Sequence, residues 1–304
     1  MKSLFLSSLL ALGLLAVPAQ AAEYPAKPIT LMTAFNAGGG SDVSHRLLEK
    51  FAKGVFDQPI VVTYKAGAGG EIGWTWLVGA KADGYTIGGV DLPHIVLQPM
   101  LRPEGQPGYK TEQLSPLCGL VYDADVVMVP EDGPYKTFKD LIGYAKANPG
   151  KVKVATVGKL TGAKFTQVPY SGSGKAIPAL LSGEVDAYFG SGSSFLRMEK
   201  TRGLAIGSKE RYELCPDVPT FIEQGYAIES GKYRGLATPQ NIPAEARQYL
   251  ETKFAELCAN PEYQKAVKSS GLMPQFQTGK AFGEIIRTEG EQAKKILEAY
   301  GLLK

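Results

Sequence analysis

The sequence predicts an α/β protein of two lobes with a cleft between them, each lobe a mainly parallel sheet flanked by helices. Short apolar β-like runs alternate with amphipathic helical runs from residue 29 onward, and a second alternation begins at Val126. Strand–helix–strand alternation at this spacing indicates βαβ units. The chain has 304 residues. Two lobes suit that length because single hydrophobic cores stop growing near ~250–300 residues.

In the first alternation, glycine-rich turns follow two of the predicted strands. Its predicted elements are strands at 29–35, 59–64 and 85–90 and helices at 41–55 and 71–82. The turns, at 36–42 and 65–71, follow the first and second strands. Ligands of open α/β sheets bind outside the carboxyl ends of the strands, so we expect both turns at the edge of the cleft.

The second alternation is followed by a helical tail. Its predicted elements are strands at 126–130, 151–157, 165–170, 185–189 and 203–208, helices at 136–148 and 175–184, and tail helices at 243–260, 261–271 and 280–301. Pro243 and Pro261 fall in first turns, where a missing N–H costs little. We expect residues 22–124 plus 232–304 to form lobe 1 and residues 125–231 to form lobe 2.

The amino terminus has the pattern of a secretory signal peptide. Lys2 precedes an apolar run over residues 4–17, and a small-residue cleavage site ends at Ala21. The run is shorter than the roughly 20 residues that span a bilayer, so we expect cleavage near Ala21 and an exported, soluble protein rather than an anchored one. Loss of Lys2 changes the formal charge from +3 to +2. This near-neutral balance gives no electrostatic case for nucleic-acid binding.

The three cysteines do not have the spacing of a metal site. Cys118, Cys215 and Cys258 lie far apart in the sequence. In an oxidising compartment one pair could bridge and leave one thiol over. Burial of all three as small hydrophobic side chains is slightly favoured, and we expect no metal and no cofactor.

The sequence around the glycines at 38–40 does not match the common nucleotide-binding motifs or the nucleophile-elbow motif. No Lys follows them as a P-loop requires, and Val43 stands where a dinucleotide fingerprint needs glycine. The nucleophile elbow also lacks its last glycine. The two histidines are His45, inside a predicted helix, and His94, in a loop. A serine hydrolase using Ser41 remains an alternative from a different class, but nothing in the sequence specifies its base.

The first glycine turn has the features of an anion site. Amides at a helix start have no intrahelical partner, and the helix dipole favours negative charge there. Ser41 can cap the helix or donate its hydroxyl. Asp42 would repel an anion unless it points aside. A tight turn with Ser/Asp capping alone is the other interpretation of these residues.

Longer motifs resemble a known family. The stretches YPAKPITLMTAFNAGGGSDVSHRLL, QPIVVTYKAGAGGEIGWTWLVGAKADGYTI and CPDVPTFIEQGY resemble the extracytoplasmic solute receptors of tripartite tricarboxylate transporters, the Bug family. The resemblance runs from Tyr24 to the carboxyl terminus. It implies a type II-like periplasmic binding fold that closes on a small organic anion, a mono-, di- or tricarboxylate. The receptor would be a monomer and no enzyme. It would meet membrane transporter subunits transiently, or alternatively a signalling partner as a sensor.

The resemblance also implies ligand-binding positions. In lobe 1 these are Asn36, Ala37, Gly38, Gly39, Gly40, Ser41, Asp42, Ala68, Gly69, Gly70, Asp91 and His94. Asp91 and His94 are unusual for the family and could favour a ligand with a donor such as an amine or hydroxyl. Glu71 stands where the family often has Asn, and its side chain could instead serve the helix start.

In lobe 2 the implied positions are Tyr170, Ser171 and Asp186, each with a purely structural role as its alternative. Family members commonly have a helix between the strands that correspond to 151–157 and 165–170, but here residues 158–164 are too few for one. We therefore expect lobe 2 to be shortened at 157–165. Lys159 and Thr161 could supply replacement contacts; otherwise lobe 2 grips ligand weakly or transport has been lost.

Overall fold

The computed structural model describes residues 23–102, 108–155, 163–168, 170, 173–299 and 301–303. The predicted signal peptide with its cleavage site near Ala21, the predicted ligand contact Ser171 and most of the short segment 158–164 lie outside these residues. No helix in the described ranges has both the length and the apolar character needed to cross a membrane.

Strands and helices alternate along most of the described chain. The strands are β1 Ile29–Thr33, β2 Ile60–Tyr64, β3 Thr86–Asp91, β4 Leu114–Pro130, β5 Lys153–Ala155, β6 Thr166–Val168, β7 Ala187–Ser191, β8 Thr201–Ile206, β9 Gly231–Pro239 and β10 Met273–Thr278. The α-helices are α1 Gly40–Ala52, α2 Glu71–Val78, α3 His94–Leu101, α4 Phe138–Ala147, α5 Ser173–Leu181, α6 Gly192–Phe195, α7 Ala244–Ala259, α8 Pro261–Ser269 and α9 Gly279–Ala299.

Every helix and strand that the sequence predicts is present, with ends that differ by a few residues. Strand β4 is much longer than predicted: it begins at Leu114, twelve positions before the predicted start at Val126. Strands β9 and β10 and helices α3 and α6 were not predicted. Strand β9 lacks the polar–apolar alternation that marks a half-buried strand, because most of it, from Arg234 to Pro239, is buried on both faces.

Strand β4 joins two sheet regions. From Leu114 to Ala124 it pairs with β9, and from Asp125 to Pro130 it pairs with β7 and β8. The first sheet region contains β1, β2, β3, β9 and β10, and the second contains β5 to β8. The path of hydrogen-bonded strands is β2-β1-β3-β9-β4-β7-β5-β6. The chain therefore crosses from the first sheet region to the second between Ala124 and Asp125, where β4 changes its partner strands.

The prediction of mainly parallel sheets needs a correction. Strands β2, β1 and β3 are parallel, as are β6, β5 and β7. The central strands run the other way, because β9 is antiparallel to β3 and β4, and β4 is antiparallel to β7, β8 and β10. Each region is thus mixed, since the strands that cross between the regions oppose the βαβ units on either side.

The carboxyl ends of the parallel strands meet at this crossing. Asp91 ends β3 and lies opposite Arg234 of β9, while Ser191 ends β7 and lies opposite Asp125. The turn at 36–42 follows β1 in the same direction as β3. The fold therefore gathers strand ends of both regions in one place.

Apolar side chains pack on both faces of the sheet. In the first region they include Leu31, Leu48, Trp74 and Phe254, all fully buried. The second region has its own clusters around α4 and α5. All three cysteines are free and buried, as the slightly favoured interpretation expected. Burial raises the pKa of the Cys215 thiol to about 11 and that of Cys258 to about 12.

Candidate functional site

The first glycine turn leaves the start of helix α1 open. Gly38 adopts a φ of +87°, which favours glycine, and residues 36–39 are exposed. Gly39 is the N-cap and offers no side chain to cap the helix. The first helical hydrogen bond runs from the Val43 amide to the Gly39 carbonyl, at 3.0 Å. The amides of the three residues between them consequently have no partner within the helix.

Asp42 is turned back into its own turn. Its carboxylate accepts hydrogen bonds from the Gly38 amide at 2.7 Å and from the Tyr64 hydroxyl at 2.6 Å, and Arg46 lies 3.5 Å away. Burial acts to raise the pKa of Asp42, but the hydrogen bonds from Gly38 and Tyr64 outweigh it and lower that pKa. The acid is therefore ionised and neutralised by its neighbours, with its side chain directed aside as an anion site requires.

The second glycine turn contains a short 3-10 turn over residues 68–70. Ala68 and Gly69 are exposed, whereas Gly70 is buried against Trp74. Positive φ angles of 47°, 67° and 100° run through these three residues. Glu71 pairs with Arg102 at 3.2 Å, so its side chain serves an ion pair near the start of α2.

Asp91 sits at the centre of a buried set of charges. The Ser41 hydroxyl donates to Asp91 Oδ1, and Arg234 Nε lies 3.2 Å from the same oxygen. Arg234 also donates from Nη1 to Asp123 Oδ2 at 3.0 Å. A Cβ at Gly40 would lie 2.6 Å from Arg234 Nη2, so any larger residue there would have to displace the guanidinium. The guanidinium is thus packed directly against the start of α1.

Asp123 carries this set of contacts to the second sheet region. It accepts hydrogen bonds from the amide of Ser193 at 3.0 Å and from the Ser193 hydroxyl at 2.8 Å. Ser193 belongs to α6, directly after β7. We call Ser41, Asp91, Arg234, Asp123 and Ser193 the junction network. It connects the first glycine turn with a helix of the second region through side chains that are all buried.

A second ion pair lies next to the junction network. Lys232 Nζ bonds Asp125 Oδ1, and the Ser230 hydroxyl donates to Asp125 Oδ2 at 2.8 Å. Lys232 is opposite Asp123 in the strand register. The acids at 123 and 125 and the bases at 232 and 234 therefore form two neighbouring rows across β4 and β9.

The two histidines differ in environment. His45 is fully buried, with Nδ1 2.7 Å from the Thr33 hydroxyl oxygen, and burial lowers its pKa to about 4. His94 is the first residue of α3, and burial lowers its pKa against the opposing charge of Asp91. The hydroxyl of Ser41 bonds Asp91 rather than a histidine. The serine hydrolase alternative thus gains no serine–histidine pair from Ser41.

The predicted positions of the second lobe make structural contacts. The Tyr170 hydroxyl donates to Glu184 at 2.7 Å. Asp186 accepts from the Lys153 amide at 2.7 Å, at the amino ends of β5 and β7. That edge is opposite to the one at Ser191, because β5 and β7 are parallel. The structure therefore brings residues 36–42, Asp91 and His94 to the junction, and it does not bring Asp186 there.

Sequence reasoning missed Asp123, Asp125, Lys232, Arg234 and Ser193. A signal existed: two acids at i and i+2 interrupt the apolar strand β4, and such residues face the same side of a strand. Two bases have the same spacing in β9. Buried charges are normally paired, so acids in an apolar strand predict bases on a neighbour.

Comparisons with known proteins agree on one family. A family model described as tripartite tricarboxylate transporter family receptor matches residues 45–302. Protein BugT of Bordetella pertussis is 34% identical over 287 residues, which cover 87% of this chain and 86% of that protein.

Solved structures of similar proteins have the same fold. A TctC solute binding protein from Polaromonas is 26% identical, with a TM-score of 0.75 over 91% of this chain and 99% of its own. The periplasmic binding protein BugD is 25% identical, with a TM-score of 0.78 over 92% of this chain and 100% of its own.

Proposed function

Because the chain belongs to the tripartite tricarboxylate transporter receptor family, we propose that it captures a small organic carboxylate at the junction of its two lobes and delivers it to a membrane transporter. The family that the longer motifs resemble and the two-lobed α/β fold that the strand–helix alternation predicts are confirmed. Solute receptors bind and release without chemistry, so differential affinity between open and closed states is the basis of capture.

One observation supports the ligand class most directly. The exposed turn at 36–39 leads into amides at the start of α1 that have no partner within the helix, and Asp42 is neutralised beside them. Amides and a helix dipole together attract a carboxylate without a lysine or arginine in contact with it. The ligand contacts we propose are those of the two glycine turns together with Asp91, His94, Tyr170 and Ser171. We leave Asp186 out because it lies at the opposite strand edge.

The proposed lobes are residues 22–124 plus 232–304 and residues 125–231. The partner change of β4 after Ala124 and the start of β9 at Gly231 support these limits. Hinges are a few residues at element ends that absorb a rotation. We propose that the lobes close on the ligand by rotation about these two crossings.

We also propose that the receptor acts in the periplasm as a monomer. The signal-like residues 1–21 and the small-residue site at Ala21 support export and cleavage there. A transient contact with the transporter suits a receptor that must be released after delivery.

A thermal-shift screen of residues 22–304 tests the proposal. The panel contains mono-, di- and tricarboxylates, and the neutral amide of each monocarboxylate is the matched control. A ligand that binds only the folded chain stabilises it by about 2.7 kcal/mol at one hundred times Kd. We expect at least one carboxylate to raise Tm while its amide does not. Equal shifts with acid and amide, or no shift with any carboxylate, would contradict the proposal.

A further inference from the structure

The junction network contains more buried acid than base. Asp91 and Asp123 are 5% and 1% exposed, and the single guanidinium between them belongs to Arg234, which is 6% exposed. Two carboxylates and one guanidinium leave one excess negative charge. Buried charges are screened far less than surface charges, so this excess acts on whatever enters the junction.

Neighbouring cations do not offset that excess. Lys232 is bound to Asp125, so this pair is neutral as a unit. Burial lowers the pKa of His45 and of His94, which leaves both rings uncharged at neutral pH. The described part of the junction is therefore anionic overall.

Two carboxylates of the protein itself are already bound at the amino end of α1. Asp91 is bound there through the Ser41 hydroxyl, and Asp42 through the Gly38 amide. Each of them uses part of the favourable dipole of the helix. One ligand carboxylate can still reach the amides that have no partner within α1, but a second would add charge to a site that holds these acids.

Two buried nitrogen atoms at the junction have no hydrogen-bond partner among the described residues. Arg234 Nε and His94 Nδ1 are buried and make no hydrogen bond within the described chain. Arg234 Nε faces Asp91 at 3.2 Å as an ion pair without hydrogen-bond geometry. Unsatisfied buried polar groups cost free energy, so a ligand group that reaches them improves the site.

We infer that the receptor selects small carboxylates of low net charge, either monocarboxylates or carboxylates that also carry an ammonium group, over di- and tricarboxylates. This inference rests on the proposed function, since it refines the ligand class of the same site. Like charges within about 8 Å at a partly buried site repel enough to change an affinity roughly tenfold to thirtyfold. We therefore expect monoanions to bind more tightly than dianions by about this factor.

Isothermal titration calorimetry with four-carbon ligands tests the selection. Butyrate and succinate differ by one carboxylate, and succinate and aspartate differ by one ammonium group. We expect butyrate or 4-aminobutyrate to bind at least about tenfold more tightly than succinate, and aspartate to bind more tightly than succinate. Tighter binding of succinate or citrate would overturn the inference and leave the proposed function intact. If no carboxylate binds at all, the proposed function fails and the inference fails with it.

Removing one buried acid tests the cause. Asp123→Asn keeps the shape of the side chain and removes the excess charge, so we expect the preference for monoanions over succinate to shrink about tenfold. Asp91→Asn is the second variant, in case Asp123→Asn does not fold. Asp132→Asn is the matched control, because Asp132 is exposed in the turn after β4. A ratio unchanged in the folded junction variant, or changed equally in the control, would overturn the inference.

Discussion

Arg234 and Asp123 form a buried ion pair of 3.0 Å that ties β9 to β4 just before β4 changes its partners. Both side chains are almost completely excluded from solvent. The desolvation of two such charges is offset only while both partners are present. The pair therefore fixes the geometry at the junction, and damage to either partner should be costly.

Loss of the guanidinium tests that cost. Arg234→Met leaves Asp91 and Asp123 buried without their cation, so we expect the free energy of unfolding to fall by about 3–5 kcal/mol. Urea denaturation followed by circular dichroism measures the change. Arg287→Met is the control, since the partners of Arg287 among the described residues are exposed acids on α9, and its loss should change stability by less than about 1 kcal/mol. Equal effects of the two substitutions would show that the junction pair is not buried.

The contact between the two sheet regions gives a second prediction. Ser193→Ala removes one of the two hydrogen bonds from Ser193 to Asp123 and leaves the amide bond in place. We expect a loss of about 1–2 kcal/mol in unfolding free energy, because a buried carboxylate loses a donor. Ser182→Ala is the control, since Ser182 is exposed and its hydroxyl donates to the Ala179 carbonyl at the end of α5. Equal, small losses for both variants would argue against a tight contact at the junction.

The buried His45 predicts a pH dependence of stability. Its pKa is about 4 in the folded chain and 6.5 when exposed, so the unfolded state binds more protons between these values. Stability from this group is complete above pH 6.5 and is lost as the pH falls toward 4. Between pH 7 and pH 4.5 we expect a loss of about 2–3 kcal/mol that is missing in His45→Gln. Urea midpoints at both pH values test it, and an equal loss in the variant would refute a neutral buried His45.

Two adjacent glycines should respond differently to alanine. A Cβ at Gly40 would lie 2.6 Å from Arg234 Nη2, whereas a Cβ at Gly39 would lie 3.7 Å from the nearest atom, the Asn36 carbonyl oxygen. Gly40→Ala must displace the buried guanidinium and should cost about 1–3 kcal/mol of unfolding free energy. Gly39→Ala is its control and should cost less than about 0.5 kcal/mol. The thermal midpoints of the two variants check the order, and the reverse order would contradict the close approach of Arg234 to α1.

The elements that the sequence predicted are those with local signals. Helix α1 follows a glycine turn and has an apolar face, and α8 begins at Pro261 after an Asn260 cap. Such features act within a few residues of one another. Strand β9 was missed because its buried half has no alternation, and its partners β3 and β4 are distant in sequence.

The site was only half predictable for the same reason. The turn at 36–42 and Asp91 could be located from motifs and topology. The contacts of the junction network join residues 50, 70 and 111 positions apart, from Ser41 to Asp91, Asp123 to Ser193 and Asp123 to Arg234. Only the paired strands bring those charges together, so no local pattern could show which acid meets which base.

The measurement that tests the central claim most directly is calorimetric titration of a Gly39→Val variant with the tightest carboxylate found for the unmodified chain. Gly39 has an extended backbone, and a Cβ there would make only an ordinary van der Waals contact, at 3.7 Å from the Asn36 carbonyl oxygen, so valine should fold while covering the amides of the first turn. Gly143→Val is the control, in α4 with no atom near its Cβ position. We predict at least a tenfold rise in Kd for Gly39→Val, about 1.4 kcal/mol, and none for the control. Unchanged affinity in a folded Gly39→Val would contradict a carboxylate site at this turn.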